Sequence, residues 1–485
     1  MTNAELIQEI EALKAELAQK DTKIAYLIEQ FRLAQQKRFG KSSEGDPGQG
    51  ELFNEVEELT APVEEPVVQT IEYQRKKATR KPLPKDLPRE RVVHDIEDKT
   101  CDCCGGELHQ MGEDISEKLE FIPAQVKVIE HVRPKYSCRH CEQTDTVVSI
   151  KQAPVANSPI PKGYATPSLL SQIMTSKYQY GLPLYRQEAM FKQYGITLSR
   201  KTMADWMMRC ATLFKPLYDR LHELILLESV IHADETTVNV VKEDKSTCYM
   251  WLYATDKLVI YDYHRSRSAC CVVDFLQGYD GYLQVDGYQA YEQTEAILVG
   301  CWAHARRKFK ETEIAQGKTK SGKVSWALNQ IQKLYGIEKA IKDKTPQEKY
   351  VARQQKSLPV LNEFKIWLDK SALQVPPKTA MGKAIGYCLN QWSKLIVYVQ
   401  DGQLSIDNNR AERAIKPFVI GRKNWLFSHT PNGAQASAML YSLIETAKAN
   451  GLTPYDYVTY CLEQLSSAET DIDNLLPWAV KAKLT

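Results

Sequence analysis

Apolar residues recur at several spacings along this chain, and each spacing predicts a different element. Over residues 4–37, Leu6, Ile10, Leu13, Leu17, Ile24, Leu27 and Phe31 follow alternating steps of three and four, with no Gly or Pro to interrupt them. This is a coiled-coil seam about four heptads long. Lys20 fills the one polar seam position, where it would cost stability and help fix register. The alternative is an amphipathic helix packed on its own protein. Residues 154–166 are Pro-rich and mark a boundary, and a helical period follows. The stretch 184–211 reads as a helix, a turn at Gly195, then a second helix capped by Ser199 and running from about Lys201 to Cys210. The pair resembles a helix-turn-helix, with Arg200 and Lys201 placed to meet phosphate. A plain helical hairpin that packs Met203, Trp206 and Met207 inward is an equal alternative.

From residue 229 the pattern becomes β-like. SVIHADETTVNVV reads as a buried strand ending at Asp234, and CYMWLYATDKLVIYDYH as two strands joined by a short polar turn. A helix at about 268–277 follows. YLQVDGYQAY is a fourth strand with Asp286 at its tip, and ILVGCWAHARRKFKE a fifth strand and a basic helix. Three consecutive strands, a helix and further strands is the order of an RNase H-like sheet. In that fold the first and fourth strands are neighbours, so Asp234 and Asp286 would meet. The run WALNQIQKLYGIEKAIKDK within 310–395 is amphipathic and helical, as are AQASAMLYSLIETAKANG and PYDYVTYCLEQL near the C-terminus.

Composition adds limits. The chain has 485 residues, 43% hydrophobic and 26% charged, enough for roughly three or four domains of an ordinary globular protein. It has no run of about 18 apolar residues and no apolar signal core, so a cytoplasmic protein without membrane contact is expected. The net charge of +2 does not by itself announce a nucleic-acid binder. Its distribution says more. Residues 44–65 hold eight acids and no bases, an acidic linker. Residues 73–91 then hold eight Lys/Arg spaced by three prolines, Arg80 and Lys81 among them. Such a strand can lie along phosphates or reach into a minor groove, or simply be a solvated linker.

The cysteines carry the strongest local chemistry. Cys101 and Cys104 form one Cys-x-x-Cys, Cys138 and Cys141 another, with a strand-like run between. Four thiolates in two knuckles make a tetrahedral structural zinc site with no open position. Cys103 could replace a neighbour as ligand, and His140 is adjacent. Three acids suit metal-assisted cutting of nucleic acid: Asp234, Asp286, and Glu412 on a predicted helix among bases. Three carboxylates can bind two divalent cations, Mg²⁺ or Mn²⁺, at the roughly 3.5–4 Å spacing of a two-metal phosphoryl-transfer site. Each has a plainer reading: a strand-end cap for Asp234, a turn residue for Asp286, an ion pair with Arg413 or Lys416 for Glu412. Glu235 and Asp407 are rivals. Glu235 should face the other side of the sheet, and Asp407 should cap the helix that carries Glu412.

Several of these segments together carry a family resemblance: RFGKSSE, RKPLPKDLPRERV, CDCCGGEL, CRHC, PLYRQEAMF with LSRKTMADW, HADET, VDGYQAY, GCWAHARRKF and DNNRAERAIKPFVIGRKNWLFS. In this order they resemble transposases of the insertion sequence 66 family. The departure is Cys103, where many relatives have another residue. The resemblance implies an Asp-Asp-Glu catalytic domain of RNase H-like fold, with Asp234, Asp286 and Glu412 as its acids holding two Mg²⁺ or Mn²⁺. It implies a long helical insertion between the second and third acids.

The expected organisation is a multidomain α/β protein: coiled coil 1–40, acidic then basic linker 41–92, zinc-binding domain 93–153 with one Zn²⁺, helical DNA-binding region 154–225, catalytic domain 226–430 with its insertion at about 310–395, and a C-terminal helical region 431–485. The expected activity is metal-dependent cleavage and strand transfer at the ends of a mobile element. The partners would be double-stranded DNA (terminal inverted repeats and target), a second copy or more of the chain, and accessory proteins of the same element. Arg306, Arg307, Arg413, Arg422 and Lys423 join the basic candidates above for DNA contact. Cys301 and His304 form a Cys-x-x-His with no matching pair, for which a structural or DNA-proximal role is preferred. A regulator without catalysis and an RNase H-like nuclease are the alternatives.

Overall fold

The computed structural model describes most of residues 13–35, residues 90, 91 and 93, and then 125–136, 150–245, 247–316, 322–467 and 470–484. The chain divides into two units, Val63–Arg133 and the rest. The described residues of the Val63–Arg133 unit form neither helix nor strand. Arg80, Lys81, the four candidate zinc ligands Cys101, Cys104, Cys138 and Cys141, and also Cys103, His140, Leu6 and Ile10, lie outside the described residues.

In the larger unit the described residues between 13 and 35 are helical. Leu13, Leu17, Ile24, Leu27 and Phe31 are each more than half exposed. Two polar positions between the seam residues bond to the rest of this unit: Arg32 donates to the Ala315 carbonyl at 3.0 Å, and Glu29 accepts from the Ala380 N–H at 3.2 Å.

Among the described residues from 150 onward, α1 (Pro167–Tyr178), α2 (Leu184–Gln193) and α3 (Arg200–Ile225) lead into the sheet. Thr166 caps α1 with Pro167 in its first turn, the arrangement an N-terminus favours. Gly195 supplies the positive φ of the turn after α2, and Ser199 caps α3 by accepting from the Thr202 N–H at 3.1 Å. α3 runs to Ile225 rather than stopping near Cys210. Phe214, Leu217, Leu221 and Ile225 continue the buried stripe begun by Met203, Trp206, Met207 and Cys210 at helical spacing, so the helix is kept by packing through Pro216. Met203, Trp206 and Met207 do point inward, at 5% exposure or less. Arg200 and Lys201 are exposed at its start.

The central sheet contains β1 (Val230–Asn239), β2 (Thr247–Ala254), β3 (Val259–His264), β4 (Tyr282–Gln284) and β5 (Ile297–Val299), with α4 (Ala269–Phe275) between β3 and β4. The strand order is β3-β2-β1-β4-β5. β1, β2 and β3 pair antiparallel, whereas β4 runs parallel to β1 and β5 parallel to β4. The first and fourth strands are therefore neighbours, as expected. β2 is apolar on both faces from Met250 to Ala254, as a strand covered on both sides must be.

After β5 come α5 (Trp302–Gln316), α6 (Lys323–Ala340), α7 (Pro346–Ala352), a π-helical turn (Arg353–Ser357), α8 (Leu358–Ala372) and α9 (Ala380–Asn390). They build a core of their own from Trp302, Phe309, Ile331, Phe364, Leu368 and Tyr398 among others. α10 (Asn409–Trp425) then returns to β1 and β2, and α11 (Pro431–Ala449) lies along β3. Ser442 and Thr446 of α11 accept from the Tyr261 and Val259 N–H groups at 2.8 and 3.0 Å, which satisfies the edge of the sheet. α12 (Pro454–Leu465) packs on α1, and α13 (Pro477–Leu484) ends the described chain. Helices α1–α3 and the C-terminal helices share one hydrophobic core with the sheet.

Candidate active site

β1 and β4 set the first two acids side by side. Their register pairs His232 with Gln284; Asp234 and Asp286 each follow two residues later, close enough for the Asp286 charge to act on the Asp234 carboxyl. Asp234 lies inside β1, not at its end. The polar run Glu235, Thr236, Thr237 still pairs residue by residue with β2, down to Asn239 opposite Thr247. Asp286 follows β4 by two residues, and its Oδ1 accepts from the Tyr288 N–H at 2.8 Å, an Asx-type turn. Glu412, in the first turn of α10, is 4% exposed.

Asn408 fastens α10 to the sheet. Its Nδ2 donates to the Ala233 carbonyl at 2.7 Å, and its Oδ1 lies 3.0 Å from His232 Nδ1. Because that oxygen can only accept, His232 donates through Nδ1. Burial, with the charge of Arg410 behind it, pushes the His232 pKa down to about 4, so the imidazole is neutral near pH 7. The Asn408 N–H donates to Cys301 Sγ at 3.2 Å, which ties in the start of α5 as well.

The three acids share one electrostatic field. Asp234 is half-buried, and its carboxyl is held well above the usual carboxylate range. Burial is the main cause, followed by the negative charges of Glu235, Asp286 and Glu412. Carboxylates that repel one another in this way suit a divalent cation. Oxygen donors of this kind match Mg²⁺ or Mn²⁺. The rivals are otherwise engaged. Glu235 Oε1 accepts from Arg267 Nε at 3.0 Å and also from Nη2, while Tyr291 donates to its Oε2 at 2.7 Å. Asp407 accepts from the Asn409 N–H at 3.2 Å, a local turn just before α10, whose N-cap is Asn408 rather than the expected Asp407.

A second donor set adjoins Glu412. His304 Nδ1 lies 3.8 Å from Glu412 Oε1, and the ligand atoms of Cys301, His304 and Glu412 all fall within 4.8 Å of one another. Burial and the charge of Arg307 hold the His304 pKa down at about 4, against the opposing pull of Asp286. Glu412, delivered by a distant helix, thus joins Cys301 and His304 in one group of donor atoms, a grouping that no local spacing reveals.

Comparison with known proteins decides the family. The sequence model described as Transposase IS66 family matches residues 162–436, more than half the chain. The chain belongs to this family. Three further models match: the zinc-finger binding domain of transposase IS66 over 98–142, Transposase C of IS166 homeodomain over 26–92, and the IS66 C-terminal element over 442–478. The chain is also similar to three uncharacterized proteins of Sinorhizobium fredii. It is 36% identical to y4jD over 425 residues, 82% of each chain. It is 32% identical to y4hP, over 97% of this chain and 88% of the relative, and 33% identical to y4qI, over 98% and 92%.

Within this IS66 family chain the basic candidates fall into groups. Arg306 is 9% exposed and Arg307 half-buried, both on α5 just after His304. Arg413 and Lys423 are exposed on α10. Arg422 is turned onto the protein: Nη1 bonds Thr236 Oγ1 at 3.0 Å, Thr237 Oγ1 at 2.9 Å and the Thr237 carbonyl, clamping the far end of α10 to β1. Sequence reasoning missed Tyr387, whose hydroxyl meets the Asp286 carbonyl, and Gln391, which lies against the adjoining Gly287, both at the end of α9.

Proposed function

We propose that this IS66 family protein is a DNA transposase that cleaves and joins strands at the ends of an insertion sequence, using Asp234, Asp286 and Glu412. The observation that carries the reading is the parallel pairing of β1 with β4, which ends two residues short of both Asp234 and Asp286, together with the repulsion that Asp286 and Glu412 exert on the Asp234 carboxylate. The strand order and directions of the sheet support an RNase H-like core. The three carboxylates would hold two Mg²⁺ or Mn²⁺. Bound there, the cations supply positive charge to the oxygens entering and leaving phosphorus.

The chain's own groups do the rest. Asn408 and Arg422 fix the two ends of α10 on β1 and so aim Glu412 across the sheet. Exposed Arg413 and Lys423, with Arg200 and Lys201 at the start of α3, are placed to neutralise phosphates of the bound strand. Arg307 of α5 acts on His304 beside Glu412, and Arg306 would join it in meeting phosphate. Cys101, Cys104, Cys138 and Cys141 would hold one structural Zn²⁺, and Arg80 and Lys81 would meet the backbone of the DNA. The exposed heptad seam would pair protomers so that two ends are cut together.

The test separates binding, cutting and joining. Purified protein is given labelled element-end duplex and a target plasmid with Mg²⁺, beside Asp234→Asn and Glu412→Gln. Joined product from the native protein, with bound but uncut DNA from both variants, is expected. Cutting without joining would mean a nuclease, and binding without cutting in the native protein a regulator.

A further inference from the structure

Asp286 sits where regular hydrogen bonding has stopped. β4 ends at Gln284, and the Val285 N–H still donates to the Val299 carbonyl at 2.9 Å. Beyond it the chain turns through Gly287, at φ +104°, into the 3-10 turn Gln289–Gln293. A carboxylate that must meet two others needs its backbone fixed, yet nothing in the β ladder fixes this one. A displacement of about 1 Å at such a site is enough to weaken a metal-binding or reacting arrangement severely.

The end of α9 supplies the missing contacts. The Tyr387 hydroxyl donates to the Asp286 carbonyl at 2.8 Å. Gln391, one helical turn on, lies against Gly287 so closely that a Cβ there would come within 3.0 Å of its side chain. The i, i+4 spacing puts Tyr387 and Gln391 on one face of the helix. Just beyond, Lys394 bonds Glu292 at 2.6 Å and its carbonyl accepts from the Gly300 N–H at 3.0 Å. The helical insertion therefore grips the Asp286 loop at its start, middle and end. The Asp286 side chain is already tied at Oδ1 by Tyr288, so the position of the backbone sets where its other oxygen can go.

We infer that Tyr387 is a positioning residue, through which the insertion holds the Asp286 carboxylate in line with Asp234 and Glu412 and thereby sets the affinity of the acid site for divalent metal. The inference rests on the proposed role of Asp286 as a metal ligand. It makes the insertion part of the acid site, and any movement of α9 is felt as a change in metal affinity.

The test is Mn²⁺ titration of the full-length protein, followed by the electron paramagnetic resonance signal of free Mn²⁺. Native protein is compared with Asp286→Asn, Tyr387→Phe, Gly287→Ala and Tyr457→Phe. Tyr457 serves as a control, a buried tyrosine whose hydroxyl donates to the Leu475 carbonyl at 2.9 Å among the C-terminal helices. Asp286→Asn should remove a site, Tyr387→Phe should weaken that site about tenfold, or ~1.4 kcal/mol, and Tyr457→Phe should leave it unchanged. Gly287→Ala keeps the Tyr387 hydroxyl but strains the loop at φ +104° and crowds Gln391, and should weaken the same site. In cleavage, Tyr387→Phe should raise the half-saturating metal concentration while turnover at saturating metal stays within about twofold. Native affinity in Tyr387→Phe, or an equal loss in Tyr457→Phe, would overturn the positioning role. Identical binding by native protein and Asp286→Asn would overturn instead the metal-site reading on which it rests.

Discussion

Replacing Asn408 with alanine should cost more than any surface change in this protein and should damage cleavage beyond its effect on stability. Asn408 is 1% exposed and joins α10 to β1 through two side-chain bonds, to the Ala233 carbonyl at 2.7 Å and to His232 Nδ1 at 3.0 Å. Ala233 is fully buried and His232 is 4% exposed, so water cannot readily replace either partner. Leaving a buried polar group unsatisfied costs roughly 1–3 kcal/mol each. The two losses share one site and are not additive, so the expected total is about 2–4 kcal/mol. Asn408→Asp keeps the acceptor toward His232 but turns an oxygen onto the Ala233 carbonyl, and should be no better. Urea unfolding followed by far-UV circular dichroism reads the loss as a lower midpoint at unchanged slope. Glu412 lies one helical turn further along α10, so the folded fraction of the variant should also cleave more slowly. A midpoint shift worth less than about 0.5 kcal/mol, the range of ordinary surface changes, would refute the anchoring argument.

Other consequences follow from the same physical reading. Arg353, 2% exposed, bonds Glu338 twice and the carbonyls of Tyr398, Asp401 and Leu404. Arg353→Met should therefore destabilise the insertion by about 3–5 kcal/mol, seen as new proteolytic cuts confined to residues 302–406. His264 Nε2 lies 2.6 Å from Asp262 Oδ2; burial opposes its protonation, but the Asp262 bond outweighs it and raises the pKa above 6.5. The stabilisation is complete below the unfolded value and is lost as pH rises through the folded one. His264→Gln should accordingly lower stability by about 1 kcal/mol at pH 6 and by less in alkaline solution, measured as thermal midpoints across pH. Zinc content by mass spectrometry should be about one ion per chain, as one four-thiolate site holds one ion, and should fall to background in Cys138→Ser/Cys141→Ser.

Much of the sheet was legible in the sequence because its strands are short apolar runs bounded by turns; that β1 and β4 are neighbours came from the likeness of their order to an RNase H-like sheet, not from the pattern itself. The cap of α3 was legible, Ser199 from its place before a helical stripe; that of α10 was not, because its N-cap is Asn408, one residue past Asp407, and no side chain caps it. Two boundaries were not legible either. Polar Glu235, Thr236 and Thr237 look like the end of a strand, yet cross-strand pairing with β2 carries β1 on to Asn239. Cys210 looked like the end of α3, but the apolar stripe runs on to Ile225 against the sheet core. The least legible parts of the site are those made between distant segments. Tyr387 meets Asp286 across 101 residues, and Glu412 reaches Cys301 and His304 from another helix. Arg422 looked like a phosphate ligand because charge is visible in a sequence, whereas the two threonines that receive it are not.

Cleavage of labelled element-end DNA by the purified full-length protein, with Mg²⁺ or Mn²⁺ and beside Asp286→Asn, tests the account most directly. Metal-dependent nicking at the element boundary by the native protein, with DNA bound but intact in Asp286→Asn, is the predicted result. Equal nicking by Asp286→Asn would contradict the three-acid assignment.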